Sequence, residues 1–380
     1  MKLTITRHEL NEAIQQVSKA VASRTTIPIL SGIKIDATYT GITFTASDTD
    51  ISIQSFVPLA KPDKTIAEIE RTGSVVLPAK FLVEMVKKLP HEQVQIEVAD
   101  RFQTMIRSGS TDIQLAGLDP EEFPVLPTIV EDEIITVPGD QLRDMIRQTV
   151  FAVSVNESSP ILTGILWSLE QGLFKFVATD RHRLAKSAVT IDSMDMRFSG
   201  IVVSGKTMSE LAKLIPDQNA MVDIVVADNQ VLFKLDNVLF YSRMLDGTYP
   251  DTSKIIPETF KTELILNTRQ LGEAIDRAYL LSREEKTNIV RLSTLEDGRS
   301  IEISSSSSEI GRVTEQLDTV ELRGDPLRIA FNSKFMLDAL KVIDSEQLFI
   351  GFTGAMSPII IRPRDHEHHL HLILPYRTTN

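Results

Sequence analysis

Three groups of residues could do chemistry. Gly200-Ile201-Val202-Val203-Ser204-Gly205-Lys206-Thr207 fits G-x-x-x-x-G-K-[ST], the spacing of a loop that cradles phosphate. In such a loop the spacer wraps the phosphate with backbone amides after its strand has ended. Here the spacer is Ile-Val-Val and reads as the strand itself. His366, His368, His369 and His371 could suggest a metal, and alternation puts His369 and His371 on one strand face. No carboxylate or Cys spacing completes a known ligand set, so a hairpin turn with its flanking strand is the simpler reading. Asp180, His182 and Ser204 could be assembled into a triad, but no G-x-S-x-G elbow surrounds the serine. The chain has no Cys, which excludes disulfide and thiolate chemistry and fits a reducing cytoplasm.

The elements that hold these residues are repeated. Residues 10–48 align without a gap on residues 142–180 at a constant shift of 132. Leu10, Ile14, Ala20 and Val21 fall on Leu142, Ile146, Ala152 and Val153, and the Pro28-Ile29-Leu30-Ser31-Gly32 turn falls on Pro160-Ile161-Leu162-Thr163-Gly164. A third copy is weaker: Leu271 and Ile275 match Leu10 and Ile14 at a shift of 261, and after a two-residue contraction Ile33 and Ile42 match Leu292 and Ile301. A second element recurs in all three copies, at Lys80–Leu89, Lys206–Ile215 and Lys334–Ile343. Each copy has an acid (Glu84, Glu210, Asp338) three residues before a lysine (Lys87, Lys213, Lys341), a spacing that supports a helix.

The repeat answers two of the chemical questions. The counterparts of the phosphate-loop match, Val75–Lys80 and Ile329–Lys334, carry no glycine pair. Asp48 and Asp180 are equivalent, which favours a shared hydrogen-bonded turn over acid–base work for them and for Asp50. Ser304 to Ser308 has strand-to-turn counterparts and is not read as a linker. Periodicity gives each copy strand–helix–strands twice over, hence six helices and many short strands in an α+β fold of three repeated domains. The boundaries are 1–128, 129–257 and 258–380, with hinges near Pro127 to Glu133 and Pro257 to Lys261.

Charge is distributed unevenly. The formal net charge is -12, which argues against nucleic-acid binding if it is spread evenly. Six helix windows (9–24, 80–88, 141–155, 205–215, 270–286, 333–343) hold 14 basic and 10 acidic residues, and the remainder holds 26 and 42. Helices that share one surface could therefore meet phosphate while the rest of the exterior repels it. No run approaches the ~18 apolar residues of a membrane helix, and the first residues have no apolar stretch of a signal peptide.

Several segments resemble the beta subunit of bacterial DNA polymerase III: Arg24–Leu30, Ala178-Thr179-Asp180-Arg181-His182-Arg183-Leu184, Leu245–Asp251 and the terminal Leu374-Pro375-Tyr376-Arg377. The likeness runs through all three copies and looks nearest to the clamps of low-GC Gram-positive bacteria. It implies a non-catalytic processivity factor without a cofactor, a head-to-tail homodimeric ring around double-stranded DNA with helices inward and sheets outward. It also implies a separate ATP-driven clamp loader.

The resemblance assigns residues as well. Arg24 and Asn156 would approach DNA, and Lys80, Lys206 and Lys334 are further candidates from the helix reading. A pocket between the second and third copies would take a linear peptide from the polymerase III alpha-type enzyme, the clamp loader, other polymerases and repair proteins. Its positions in the second copy would be Leu162, Thr179, His182, Arg183, Leu184, Pro250 and Ile255. Those in the third would be Asn332, Met356, Pro358, Leu372, Leu374, Pro375 and Tyr376, an apolar set suited to a leucine or phenylalanine anchor. Arg181, Lys254 and Thr287 depart from the residues usual at the rim. At the subunit interface, Ile113 and Leu115 would meet Leu280 and Leu281. Two other readings compete: a phosphate-loop enzyme using Lys206, and a repeat scaffold that binds proteins but not DNA.

Overall fold

Every half-repeat opens with a strand that runs directly into a helix. In the computed structural model, which describes all residues except 23, 132, 217–219, 285–287, 308 and 378–380, these helices are α1 (Arg7–Val17), α2 (Ala79–Val86), α3 (Gly139–Thr149), α4 (Gly205–Ala212), α5 (Thr268–Glu284) and α6 (Ser333–Leu340). They form because apolar residues recur at helical spacing, as in Leu10, Ala13, Ile14 and Val17 of α1 and Leu271, Ala274, Ile275 and Ala278 of α5, all buried.

α1 and α3 end earlier than periodicity suggests, each passing into a single 3-10 turn at Ser18–Ala20 and Val150–Ala152. Hydroxyls back-bond there, Ser18 Oγ to the Gln15 carbonyl at 2.9 Å and Thr149 Oγ1 to the Met145 carbonyl at 2.7 Å, which favours the tighter turn. No helix of the described residues is long and apolar enough to cross a membrane.

By compactness the chain divides into two units, Met1–Asp140 with Glu210–Met244, and Gln141–Ser209 with Leu245–Asn380. The cut passes through the middle repeat. The first unit contains an eight-stranded sheet, and its continuity comes from Val238–Arg243 of the middle repeat pairing antiparallel with Ile51–Pro58 of the first. The second contains a nine-stranded sheet, made continuous by Arg183–Thr190 of the middle repeat pairing with Leu370–Ile373 of the third. In both junctions the joining strand is the third after the helix of its half-repeat. The two remaining third strands, Thr111–Ala116 in the first unit and Gly311–Asp318 in the second, lie at sheet edges with a single neighbour.

Local structure repeats with the sequence. Pro28–Ser31 and Pro160–Thr163 are both 3-10 turns, closed by Ser31 Oγ on the Pro28 carbonyl and Thr163 Oγ1 on the Pro160 carbonyl, each at 2.7 Å. Gln16 accepts from Ser55 at 2.7 Å, and Gln148 accepts from Ser187 at the same distance, so the helix is tied to the third strand identically in two repeats. Ser304, Ser305 and Ser307 are buried in the Ser300–Ser307 strand, as expected for a non-linker. The linkers at Pro127 to Glu133 and Pro257 to Lys261 hold no helix or strand among their described residues.

Glycine at the start of the second strand is required by close approach. A Cβ on Gly164 would lie 2.5 Å from Val202 Cγ1 and 2.9 Å from the Val203 carbonyl, whereas one on Gly272 in α5 would meet nothing within 4 Å. Gly164→Ala should therefore destabilise the protein by about 1–3 kcal/mol through overpacking. Gly272→Ala should stabilise it by about 0.5–1 kcal/mol. Urea midpoints of the two variants would move in opposite directions.

Candidate functional site

The site grows from a hairpin turn in the second unit. Asp180 Oδ1 accepts from the amides of His182 and Arg183, each at 3.0 Å. The Thr179 hydroxyl donates to the Arg183 carbonyl at 2.6 Å and accepts from the Arg181 amide at 3.2 Å. Asp48 and Ser47 build the same turn in the first repeat. Residues Thr49 and Arg181 both take a left-handed backbone, φ 80° and 77°, a conformation that glycine adopts most readily. These carboxylates are structural, in line with their equivalence in the repeat.

The turn fixes Arg183. Its Nε binds Asp180 Oδ2 at 2.9 Å, one terminal nitrogen binds Asp338 Oδ2 at 2.7 Å, and the other binds the Phe151 carbonyl at 2.6 Å. The guanidinium also lies 4.5 Å from the centre of the Phe335 ring. Asp338 is the third repeat's counterpart of Glu84 and Glu210. Those two hold their helical lysines Lys87 and Lys213, while Asp338 is drawn instead to Arg183. A mostly buried ion network rigidifies what it joins, here the middle and third repeats.

On the face that carries Leu184 lies a cleft of about 520 Å³, lined on its apolar side by Leu166, Val177, Leu184, Tyr249, Pro250 and Ile256. Tyr249 is held by the Thr179 amide, which donates to its hydroxyl at 3.0 Å, and burial pushes the phenol's pKa up. Beneath, Leu184 and Leu372 share one buried cluster with Ile360. The C-terminal segment is pinned by the Leu374 amide on the His182 carbonyl at 2.9 Å and the Tyr376 amide on the Ala330 carbonyl at 2.7 Å.

Of the expected pocket residues, Leu184 and Pro250 line the cleft. Leu162, Thr179 and Leu372 are buried, Pro358 and Pro375 half-buried, and His182, Ile255, Met356, Leu374 and Tyr376 exposed. Asn332 caps α6, accepting from the amides of Lys334 and Phe335. Lys254 is exposed, and Thr287 lies outside the described residues. Sequence reasoning missed Lys175, Lys186, Tyr249 and Ile256 as lining residues. Tyr249 was findable, since it matches Phe123 in the first repeat's closing segment.

The other expected residues fall on two kinds of surface. Arg24 and Asn156 are exposed and repeat-equivalent, each in the loop between helix and 3-10 turn. Lys80, Lys206 and Lys334 are exposed at the second position of α2, α4 and α6. Ile113 and Leu115 are half-buried on one face of the edge strand Thr111–Ala116, and on α5 Leu280 is exposed and Leu281 half-buried. The phosphate-loop match is a strand: Ile201 to Ser204 pair in register with Trp167 to Gly164, so their backbone belongs to a sheet ladder and forms no cradle.

His369 and His371 are buried, their Nε2 atoms 2.6 Å apart. His371 Nδ1 has no partner and the ring lies 5.4 Å from that of Phe151. One of the two Nε2 atoms donates and the other accepts, which fixes a neutral tautomer for each ring of the pair. Burial, then the Arg147 charge, lowers the His369 pKa to about 4, with Asp344 opposing and His366 adding to the effect. Burial, then His369 and Arg183, holds that of His371 well below the ordinary value. The unfolded chain thus takes up these protons near pH 6.5, the folded chain only well below it. Stability is complete above about pH 7 and falls as pH drops through that window. From pH 7.5 to 5.5, His369 alone should remove about 1.4 kcal/mol, read from urea midpoints. A double variant, His369→Gln with His371→Leu, should flatten that slope.

Three repeats of helices backed by shared antiparallel sheets, with a third strand left at an edge in each unit, define an internally repeated sheet-and-helix scaffold. Residues 1–127, 136–251 and 253–377 match the N-terminal, central and C-terminal domains of the DNA polymerase III beta subunit. The chain is 51% identical over 378 residues to the beta sliding clamp of Bacillus subtilis and 48% identical over 380 residues to that of Halalkalibacterium halodurans, covering 100% of each chain in both cases. It superposes on a crystal structure of the DNA polymerase sliding clamp from Bacillus subtilis with a TM-score of 0.97, at 50% identity and 100% coverage of both chains. The chain belongs to the DNA polymerase III beta subunit family, the bacterial beta sliding clamps.

Proposed function

We propose that two copies of this chain join head to tail into a closed ring that encircles duplex DNA and tethers replicative polymerase and repair proteins to it, in the bacterial cytoplasm and without catalysing a reaction. One observation carries the reading. Inside the chain, third strands pair across repeats at two junctions, Val238–Arg243 with Ile51–Pro58 and Arg183–Thr190 with Leu370–Ile373. The two third strands left over, Thr111–Ala116 and Gly311–Asp318, are the halves of a junction that a second copy would complete. An uncovered edge strand is a template for another chain, and use of the same pairing three times per chain in a dimer closes the assembly.

In that ring the helices face inward. The helix windows carry a net positive charge against a strongly acidic remainder, and Arg24, Asn156, Lys80, Lys206 and Lys334 are exposed to meet phosphate. Such contacts are sequence-independent and salt-sensitive, which permits sliding, while the closed topology prevents escape. The cleft under Tyr249-Pro250 would take the linear segments of the polymerase III alpha-type enzyme, the clamp loader and other partners. Its apolar wall and fixed backbone suit a leucine or phenylalanine anchor.

After loading, the protein should remain on nicked circular DNA and be lost when the circle is linearised; equal retention on both forms would sink the ring. Leu281→Asp should raise the dimer dissociation constant by ~100-fold or more, because it buries an unpaired charge at an apolar contact. Sedimentation as a dimer over the same concentration range as the parent would remove Leu281 from the interface.

A further inference from the structure

The cleft carries two cations whose purpose the apolar anchor does not explain. Lys175 stands on the Leu173–Thr179 strand and Lys186 on the Arg183–Thr190 strand. Lys186 is directly opposite Val177, and Lys175 lies two residues before Val177 on the same strand, so all three share one face. Both lysines line the cleft and both are half-buried. Neither has an ion-pair partner among the described residues. The single carboxylate lining the cleft, Asp251, is turned onto Ser253, accepting from its amide at 2.9 Å and its hydroxyl at 2.7 Å. Burial, and then the like charge of Lys175, lowers the Lys186 pKa. Two uncompensated cations in a partly apolar cleft are a cost that an anion would relieve.

The chain contains its own control. In the first unit the equivalent closing segment, Phe123-Pro124, lines a cleft of about 510 Å³. At the 132-residue shift, Lys186 becomes Gln54 and Lys175 becomes Thr43. The cation that does line that cleft, Lys34, is paired with Asp36 at 3.5 Å. The fold therefore builds this cleft without the two lysines, and they are specific to the second unit.

We propose that the peptide segment received by the second-unit cleft carries an acidic side chain, Asp or Glu, which pairs with Lys186 and Lys175 beside its apolar anchor. The inference rests on the cleft being the partner-peptide site. It commits to a side-chain carboxylate because the lysines stand along the strands, where an extended segment would pass with alternate side chains facing them.

The test uses the full-length protein and fluorescein-labelled heptapeptides of one framework, with Leu and Phe anchors and an amidated end. Asp or Asn is placed in turn at each non-anchor position, and one uncharged member ends in a free carboxylate. Anisotropy titrations should find a position at which Asp binds about 10-fold tighter than Asn at low salt, the advantage shrinking as salt rises. In Lys186→Gln the Asp-to-Asn ratio at that position should fall to near one, with the ratio in Lys175→Thr between the two. Equal binding of Asp and Asn peptides at every position would overturn the proposal while leaving the cleft as a peptide site. So would a ratio unchanged in Lys186→Gln, or a preference confined to the free-carboxylate peptide. Failure of every peptide to bind would overturn the peptide reading of the cleft itself and this inference with it.

Discussion

The constraint on which the structure depends is that a β-strand must have its backbone groups paired on both sides or be covered. Each half-repeat is a small antiparallel sheet whose third strand is left with one bare side. The chain resolves this by giving that side to a neighbouring half-repeat, Val238–Arg243 to Ile51–Pro58 and Arg183–Thr190 to Leu370–Ile373. Compactness therefore divides the chain through its middle repeat, because the sheets run across repeat boundaries while the covalent repeat does not. The candidate cleft is a by-product of the same solution. It lies where one repeat's closing segment, Tyr249-Pro250, runs over strands that belong to a sheet shared by two repeats.

What could be read in the sequence was whatever is local and duplicated. The constant register between the first two repeats carried the 3-10 turns at Pro28 and Pro160 and the Asp48 and Asp180 turns. In each case the determining groups lie within a few residues, so one sequence window contains both partners. Helix existence was legible for the same reason. The helix ends were not, since the hydroxyls of Ser18 and Thr149 act on carbonyls that periodicity does not register.

What escaped the sequence depends on groups brought together from far apart. Asp338 looked like the acid of a helical pair, and its helix spacing is right, but Arg183, 155 residues earlier, captures it. His369 and His371 could be placed on one strand face but their burial could not, because that comes from Phe151 and from the sheet junction at Arg183–Thr190. Nothing in the sequence singles out Lys186. Only the fold shows that it faces a cleft beside Lys175 with no carboxylate turned towards it. Long-range charge placement is invisible to periodicity because a charge changes neither helical nor strand spacing.

The third repeat's divergence is physical rather than random drift of one copy. In the first two repeats the helix is tied to the third strand by a neutral hydrogen bond, Gln16 with Ser55 and Gln148 with Ser187, beneath a junction that stays covered within the chain. In the third repeat the corresponding tie is a bidentate ion pair, Arg277 with Glu315, on the strand Gly311–Asp318 that keeps an open edge. A neutral pair depends on burial to exclude competing water. An Arg–carboxylate fork holds its geometry in water because both partners remain solvated and doubly bonded. An edge that must stay ordered while uncovered, and accept a second copy when one arrives, needs the second kind of tie. On the proposed ring, that distinguishes a junction made once during folding from one that has to open for DNA to enter.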